Sequence, residues 1–171
     1  RQRQMCIRDR IMTGEEIQAL VGAQRAFFNS GATLSVDFRI KSLRKLYDAV
    51  KAHEGDIHAA LTADLGKSAY EGFMCESGLA LTEISYMIKH TRKLARRTTV
   101  RTPLAQFASH SFTQAMPYGN TLVMSPWNYP FLLTIDPLAD AIAAGNTVIL
   151  KPSAYSPATS AIIERIVAEL S

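Results

Sequence analysis

The spacing of apolar side chains changes along the chain. Between residues 12 and 97 they recur every three or four positions, which is the spacing of amphipathic helices. Between residues 118 and 157, short apolar runs stand on either side of a longer one, and each short run leads into a polar loop. The pattern therefore predicts a layer of helices followed by alternating strands and helices.

Two helices are predicted before residue 53. Thr13 begins the first one, because Glu16 stands three positions later and can complete a capping box. Ser35 can cap the second helix. The apolar stripe of this second helix consists of Val36, Ile40, Leu43, Leu46, Tyr47 and Val50. We expect its cationic residues to face water, namely Arg39, Lys41, Arg44, Lys45 and Lys51.

Two more helices are predicted after a break at residues 53–55. The third is short and ends at Gly66, which suits the left-handed backbone that follows many helices. Ser68 and Glu71 form a second predicted capping box, and the helix that they open extends to about Arg97. The helical layer as a whole is predicted to occupy residues 12–108.

The end of the helical layer predicts a connection and then a strand. Residues 98–108 contain Pro103 and show no helical period, so we expect a connection there. Residues 109–117 alternate weakly and predict a strand that belongs to a sheet of its own.

Residues 118–171 predict a βαβα unit. The strands are expected at 121–124 and 147–150, the crossover helix at 131–144, and a last helix at 158–170. The crossover makes the two strands parallel, and ligands of open parallel sheets bind beyond the carboxyl ends of the strands. Asn128 and Lys151 follow those two ends.

Composition and charge narrow the function classes. The net charge is +4, but residues 1–10 hold four arginines and one aspartate and so carry +3 of it. We interpret residues 1–11 as a non-native leader before a natural start at Met12, with a genuine basic arm as the alternative. The remaining +1, and the lack of aromatic residues among the cations near Arg97, argue against a nucleic-acid partner. No apolar run reaches the roughly 18 residues of a membrane span.

Cysteine and histidine positions give no support to a metal site. Cys6 and Cys75 form neither a disulfide framework nor a cluster with metal-ligand spacing, and His110 has no companion at such spacing. Cys75 is interpreted as an ordinary thiol on a helix, because no histidine or lysine stands beside it to activate it.

Asn128 and Lys151 are the candidate functional residues. Asn128 lies between Pro126 and Pro130, and a neutral amide in a rigid loop can donate to a developing oxyanion. Lys151 can donate to ribose hydroxyls or phosphates, and Ser153 can add a hydroxyl. Taken singly, an ordinary turn residue and a solvated lysine remain the alternatives.

Three motifs together resemble the aldehyde dehydrogenase superfamily. They are SPWNYPF at residues 125–131, AAGNT at 143–147 and LKPS at 150–153. The resemblance covers residues 12–171, and the helical segment is similar to the class 3-like branch of that superfamily. It implies an α/β fold in which the helices precede the first part of a Rossmann-like parallel sheet, here truncated. It also implies that residues 109–117 belong to an oligomerisation element.

The resemblance also implies a reaction. Members oxidise aldehydes to carboxylic acids with NAD⁺ or NADP⁺ through a cysteine thiohemiacetal and a thioester, which a glutamate helps to hydrolyse. Asn128 would stabilise the oxyanion, and Lys151 and Ser153 would contact the adenosine ribose. The backbone of Met124, Ser125, Pro126 and Trp127 would line the cofactor cleft. Ala154 replaces a glutamate that disfavours NADP⁺ in many members, so relaxed cofactor use is expected.

Departures from the family pattern limit what this chain is expected to do alone. The Gly-rich turn, the nucleophilic cysteine and the base glutamate of such enzymes find no counterpart in it. We therefore expect an N-terminal part that is inactive alone, in a cytoplasmic and homodimeric protein that takes an aldehyde substrate. The alternatives are a non-catalytic short form with an interaction role and a related acylating dehydrogenase or reductase.

Overall fold

The structure is a computed structural model that describes residues 12–170. Its helices are α1 (Gly14–Asn29), α2 (Val36–Ala52), α3 (Glu54–Leu65), α4 (Ala69–Gly72), α5 (Gly78–Leu94), α6 (Leu132–Ala144) and α7 (Pro157–Ala168). Its strands are β1 (Thr98–Val100), β2 (Ser111–Thr113), β3 (Asn120–Met124) and β4 (Thr147–Lys151). The predicted α/β class is confirmed, with the helical layer preceding the βαβα unit.

The predicted helix starts are confirmed by their hydrogen bonds. Thr13 and Glu16 form the reciprocal capping box at α1. The Ser35 hydroxyl accepts from the Phe38 amide, and the Ser68 hydroxyl accepts from the Glu71 amide at 3.1 Å. At the other end of α3, Gly66 takes the left-handed conformation with a φ of 67°.

The long helix differs from its prediction in two respects. It ends at Leu94 rather than near Arg97, and a π-helical turn (Phe73–Ser77) joins α4 to α5. Gly78 permits this turn, because a Cβ at that position would lie 2.7 Å from the Phe73 carbonyl oxygen. The wider turn points the Glu76 side chain into the interior, where it is fully buried.

The prediction that all of residues 98–108 form a connection is wrong for the first three residues. Thr98–Val100 forms β1, which pairs antiparallel with β2 and places Thr99 opposite Phe112. The strand prediction for residues 109–117 is confirmed in a sheet separate from the βαβ unit, although β2 spans three residues. A three-residue strand leaves no periodic signal, so its pairing partner decides its conformation.

The predicted βαβ unit is confirmed in order and direction. β3 and β4 pair in parallel, with Asn120 opposite Thr147 and Met124 opposite Lys151. α6 crosses between them and ends at Gly145, which has a φ of 91°. α2 and α5 pack on α6, α3 packs on α7, and α1 contacts both strands, so the helical layer packs directly on the βαβα unit.

The expectation that Arg39 faces water is wrong. Its guanidinium is buried and donates to the carbonyl oxygens of Thr33, Leu34 and Ala143. Burial lowers the pKa of Arg39, and these carbonyl acceptors replace the water that the group loses. The spacing within α2 could not reveal this position, because Ala143 lies 104 residues away in sequence.

Within residues 12–170, no helix is both long enough and apolar enough to cross a membrane.

Candidate functional site

Two loops meet at the carboxyl edge of the parallel pair. The loop of residues 125–131 follows β3 and is named the oxyanion loop for its predicted role, and the loop of residues 152–156 follows β4 and is named the ribose loop for its predicted role. The Ser125 amide donates to the Lys151 carbonyl at 3.2 Å, which continues the ladder into the loops. The structure therefore brings the segment that contains Asn128 next to the one that begins at Lys151.

The oxyanion loop presents Asn128 to solvent. Asn128 is exposed, and the neighbouring Trp127 keeps 55% of its surface accessible. Within residues 12–170, the Asn128 side-chain amide makes no hydrogen bond, so its NH₂ group is available to a ligand. The Ser125 hydroxyl is buried and lies 2.6 Å from that of Thr134, which donates to the Pro130 carbonyl. The hydroxyl of Ser125 thus helps to close the loop.

A buried ion pair lies beneath the oxyanion loop, and the sequence analysis missed it. The Lys67 ammonium lies 2.6 Å from Oε1 of Glu76 and donates to the Asn128 carbonyl at 2.9 Å. It also lies 4.1 Å from the centroid of the Tyr129 ring, within the range of a cation–π contact. Both charged side chains are buried, at 9% and 0% accessible surface.

Glu76 also caps the first turn of α6. Its Oε2 accepts from the Phe131 and Leu132 amides, each at 2.9 Å. A carboxylate at a helix N-terminus satisfies free N–H groups and complements the helix dipole. A sequence signal for Glu76 did exist, since it stands four and eight residues before Ala80 and Ile84, which are fully buried. A carboxylate on an apolar helix face indicates a buried polar partner.

The ribose loop is held by its own residues and by one carboxylate from the helical layer. Lys151 is exposed, and the Ser153 hydroxyl accepts from the Tyr155 amide at 3.2 Å. Asp64 of α3 accepts from the Ala158 and Thr159 amides at the start of α7, at 3.1 and 2.7 Å. Asp64 was also missed by the sequence analysis, since its partners lie more than ninety residues away in sequence.

The arrangement fits one part of a dinucleotide. The exposed Lys151 ammonium can donate to ribose hydroxyls, and Ala154 beyond it is exposed and carries no charge. The exposed residues Met124, Pro126 and Trp127 stand beside that position. The first turns of α6 and α7 are poor binding sites for phosphate. Backbone amides there already donate hydrogen bonds to the Glu76 and Asp64 carboxylates.

Acidic residues near the middle of α6 form a separate electrostatic feature. Burial, together with the nearby Glu83 and Asp140 carboxylates, raises the pKa of Asp136 to about 6. Within residues 12–170, Oδ1 of Asp136 has no hydrogen-bond partner. In that same range no cluster of three or more histidine, cysteine or acidic side chains is arranged to hold a metal ion. Cys75 is partly buried in the π-helical turn.

Comparison with known proteins identifies the family. The model of the aldehyde dehydrogenase family matches residues 3–171. The chain is 41% identical over 145 residues to 4,4'-diaponeurosporen-aldehyde dehydrogenase of Staphylococcus aureus, which covers 85% of this chain and 32% of that protein. It is 40% identical over 153 residues to the dog aldehyde dehydrogenase named dimeric and NADP-preferring, and the match covers 89% of this chain and 34% of that protein.

A solved structure shows the same relationship. The substrate-bound state of Staphylococcus aureus AldH superimposes with a TM-score of 0.87 at 39% identity, covering 94% of this chain and 34% of that one. The chain belongs to the aldehyde dehydrogenase family and matches its N-terminal part. It spans about a third of the length of the curated relatives it matches. The family match begins inside residues 1–11, the predicted leader, which lie outside the described residues.

Proposed function

We propose that the whole protein to which this chain belongs oxidises aldehydes to carboxylic acids with NAD⁺ or NADP⁺. The observation that carries the proposal is the pairing of β3 with β4, which joins the loop of Asn128 to Lys151 at one edge of a sheet. Related proteins support it, since both of the curated relatives described above are named aldehyde dehydrogenases.

In this proposal Asn128 stabilises the oxyanion that forms when a nucleophile attacks the aldehyde carbonyl. Its exposed NH₂ group donates a hydrogen bond to the developing charge without itself titrating. A single donor of this kind contributes roughly 2.7–4 kcal/mol to the transition state in acyl transfer. The rigid loop between Pro126 and Pro130 keeps the cost of placing the donor low.

Lys151 holds the ribose of the cofactor in the same proposal, with Ser153 beside it. The nicotinamide cofactor, when bound, accepts the hydride that leaves the substrate carbon. No carboxylate stands at Ala154 to repel a 2′-phosphate, so we expect both cofactors to be used. The name of the dog relative, NADP-preferring, is consistent with use of the phosphorylated cofactor.

The nucleophile and the general base are assigned to the part of the whole protein that this chain does not include. Cys75 is partly buried in the π-helical turn of the helical layer and precedes the βαβ unit in sequence. We therefore expect the 171-residue chain alone to form no NADH or NADPH with aldehydes. Aldehyde-dependent formation by the isolated chain would contradict this assignment.

The two roles can be tested in the whole protein, or in a chimera in which residues 12–171 replace the matching third of the Staphylococcus aureus relative. Asn128→Ala should lower kcat about 10²- to 10³-fold, as the loss of an oxyanion donor does. Lys151→Ala should raise the KM of the cofactor and leave kcat within a few-fold. Arg92→Ala, at an exposed ion pair with Asp37, is the control and should change neither constant. A normal kcat in Asn128→Ala would overturn the assignment.

We also propose that the whole protein is a homodimer and that the β1–β2 hairpin takes part in its interface. The hairpin region exposes large apolar side chains, with Phe107 84% and Phe112 48% accessible. Light scattering of the whole protein would test its oligomeric state, and a monomeric mass at micromolar concentration would contradict the proposed homodimer.

A further inference from the structure

The hydrogen bonds that the Lys67 and Glu76 side chains make outside their own pair converge on the backbone around Asn128. Lys67 donates to the Asn128 carbonyl, and Glu76 accepts from the Phe131 and Leu132 amides. The two side chains are joined to each other at 2.6 Å. The oxyanion loop is thus tied at its apex and at its exit to one ion pair from the helical layer.

Capping alone does not require such a pair. The helices α2 and α4 begin at Ser35 and Ser68, whose neutral hydroxyls accept the amides of their first turns. Burial of two charges is costly, and geometry and additional hydrogen bonds must offset it. Here the additional hydrogen bonds go to the loop that carries the candidate oxyanion donor.

We propose that Lys67 and Glu76 are positioning residues that set the direction of the Asn128 side chain, an inference that rests on the proposed function of that asparagine. The Asn128 carbonyl carbon is bonded to the same Cα that carries the side chain. A hydrogen bond that fixes this carbonyl therefore restricts the orientation of the Cα–Cβ bond. Glu76 fixes the Lys67 ammonium, and it also fixes the start of α6, where the loop ends.

A direct catalytic role for Glu76 conflicts with its surroundings. The side chain is fully buried, and both of its oxygens already accept hydrogen bonds. The Lys67 side chain is 9% accessible and is directed at the backbone of the loop rather than at its surface. Both residues act through Asn128, whose own side chain is exposed.

A double-mutant cycle in the whole protein, or in the chimera, tests this role. Glu76→Gln keeps an acceptor for the Phe131 and Leu132 amides and removes the charge that holds Lys67. It should lower kcat about 10- to 100-fold, the size of effect that a misplacement of about 1 Å produces, with the cofactor KM within about two-fold. In the Asn128→Ala background, the same replacement should lower kcat by less than about three-fold, because the group it positions is already gone.

Asp64→Asn is the matched control, since Asp64 is another carboxylate of the helical layer and caps α7. Its effect on kcat, whatever its size, should be the same in both Asn128 backgrounds. A Glu76→Gln effect that is equally independent of Asn128 would overturn the positioning role while leaving the proposed function intact. If Asn128→Ala alone leaves kcat unchanged, the proposed function fails first and the positioning role fails with it.

A second variant keeps the test decisive if Glu76→Gln does not fold. The combined replacement of Lys67→Met and Glu76→Gln removes both charges, so no unpaired charge remains buried. Circular dichroism first establishes that it is folded. It should show the same dependence on the Asn128 background, and an undiminished kcat in this folded variant would overturn the proposal.

Discussion

The two helices that follow the ligand loops, α6 and α7, are attached to the helical layer in different ways. Both ends of α6 meet buried charges, Glu76 at its first turn and Arg39 at the Ala143 carbonyl near its last. Both ends of α7 meet charges that are partly open to water. Asp64 caps its start, and His53 lies 2.7 Å from Glu169 just after its end.

The difference matches the demands that the proposed roles of Asn128 and Lys151 place on the two loops. A donor to an oxyanion must be placed within a fraction of an ångström, whereas a flexible lysine can adjust to a ribose over a longer range. We infer that α6 is held rigidly because its preceding loop carries Asn128. If the two attachments differ in strength as their burial indicates, replacements at the start of α6 should cost more stability than replacements at the ends of α7.

Glu76→Ala should be the most destabilising of these changes. It leaves the Lys67 ammonium buried without its anion and frees the Phe131 and Leu132 amides. Removal of one partner of a buried pair costs about 3–5 kcal/mol of unfolding free energy. Urea denaturation of the whole protein, or of the chimera, measures this loss. The exposed Arg92–Asp37 pair is the control, and Arg92→Ala should cost less than about 1 kcal/mol. Equal losses at the two pairs would remove the basis of the comparison.

Asp64→Ala should have a smaller effect, about 1–2 kcal/mol. Asp64 caps α7 from a half-buried position, so its removal lets water reach the Ala158 and Thr159 amides. Hydrogen exchange of these two amides should become faster, while that of Phe131 and Leu132 should not change. Faster exchange at both helices would show that the two attachments are one cooperative unit.

Local patterns predicted the elements but not these attachments. The capping box at Thr13, the parallel pairing of β3 with β4 and the adjacency of the Asn128 and Lys151 segments all follow from short-range signals. Lys67 contacts Asn128 across 61 residues of sequence, and periodicity carries no information at that range. The expectation for Arg39 was wrong for the same physical reason. A charge on a helix can be buried wherever distant carbonyls replace its water.

Asp136→Asn should stabilise the chain, in contrast to the changes at the ends of α6. Burial and, to a smaller extent, the Glu83 and Asp140 carboxylates raise the pKa of Asp136 from its ordinary value of 3.8 to about 6. The folded state therefore binds the proton more tightly, and its favourable contribution is complete below pH 3.8 and is lost as the pH rises through 6. Because the carboxyl is only half buried, we expect a gain of about 1 kcal/mol at pH 8 and none at pH 4. Thermal unfolding at the two pH values measures it, and a gain that is equal at both would contradict ionisation as the cause.

His53→Gln should show the smallest effect, at the far end of α7. The hydrogen bond to Glu169 raises the pKa of His53, burial opposes it, and Asp56 adds to the rise. Stability from this contact is complete below pH 6.5 and is lost as the pH rises through the raised pKa of the folded state. The loss on replacement should be about 0.5 kcal/mol at pH 5.5, as for other exposed ion pairs, and should vanish at pH 9. Glu169→Gln should reproduce this pH dependence, because it removes the same partner from the other side. If Glu169→Gln instead has no effect at pH 5.5, the end of α7 is held by packing alone and differs from α6 even more than the charges indicate.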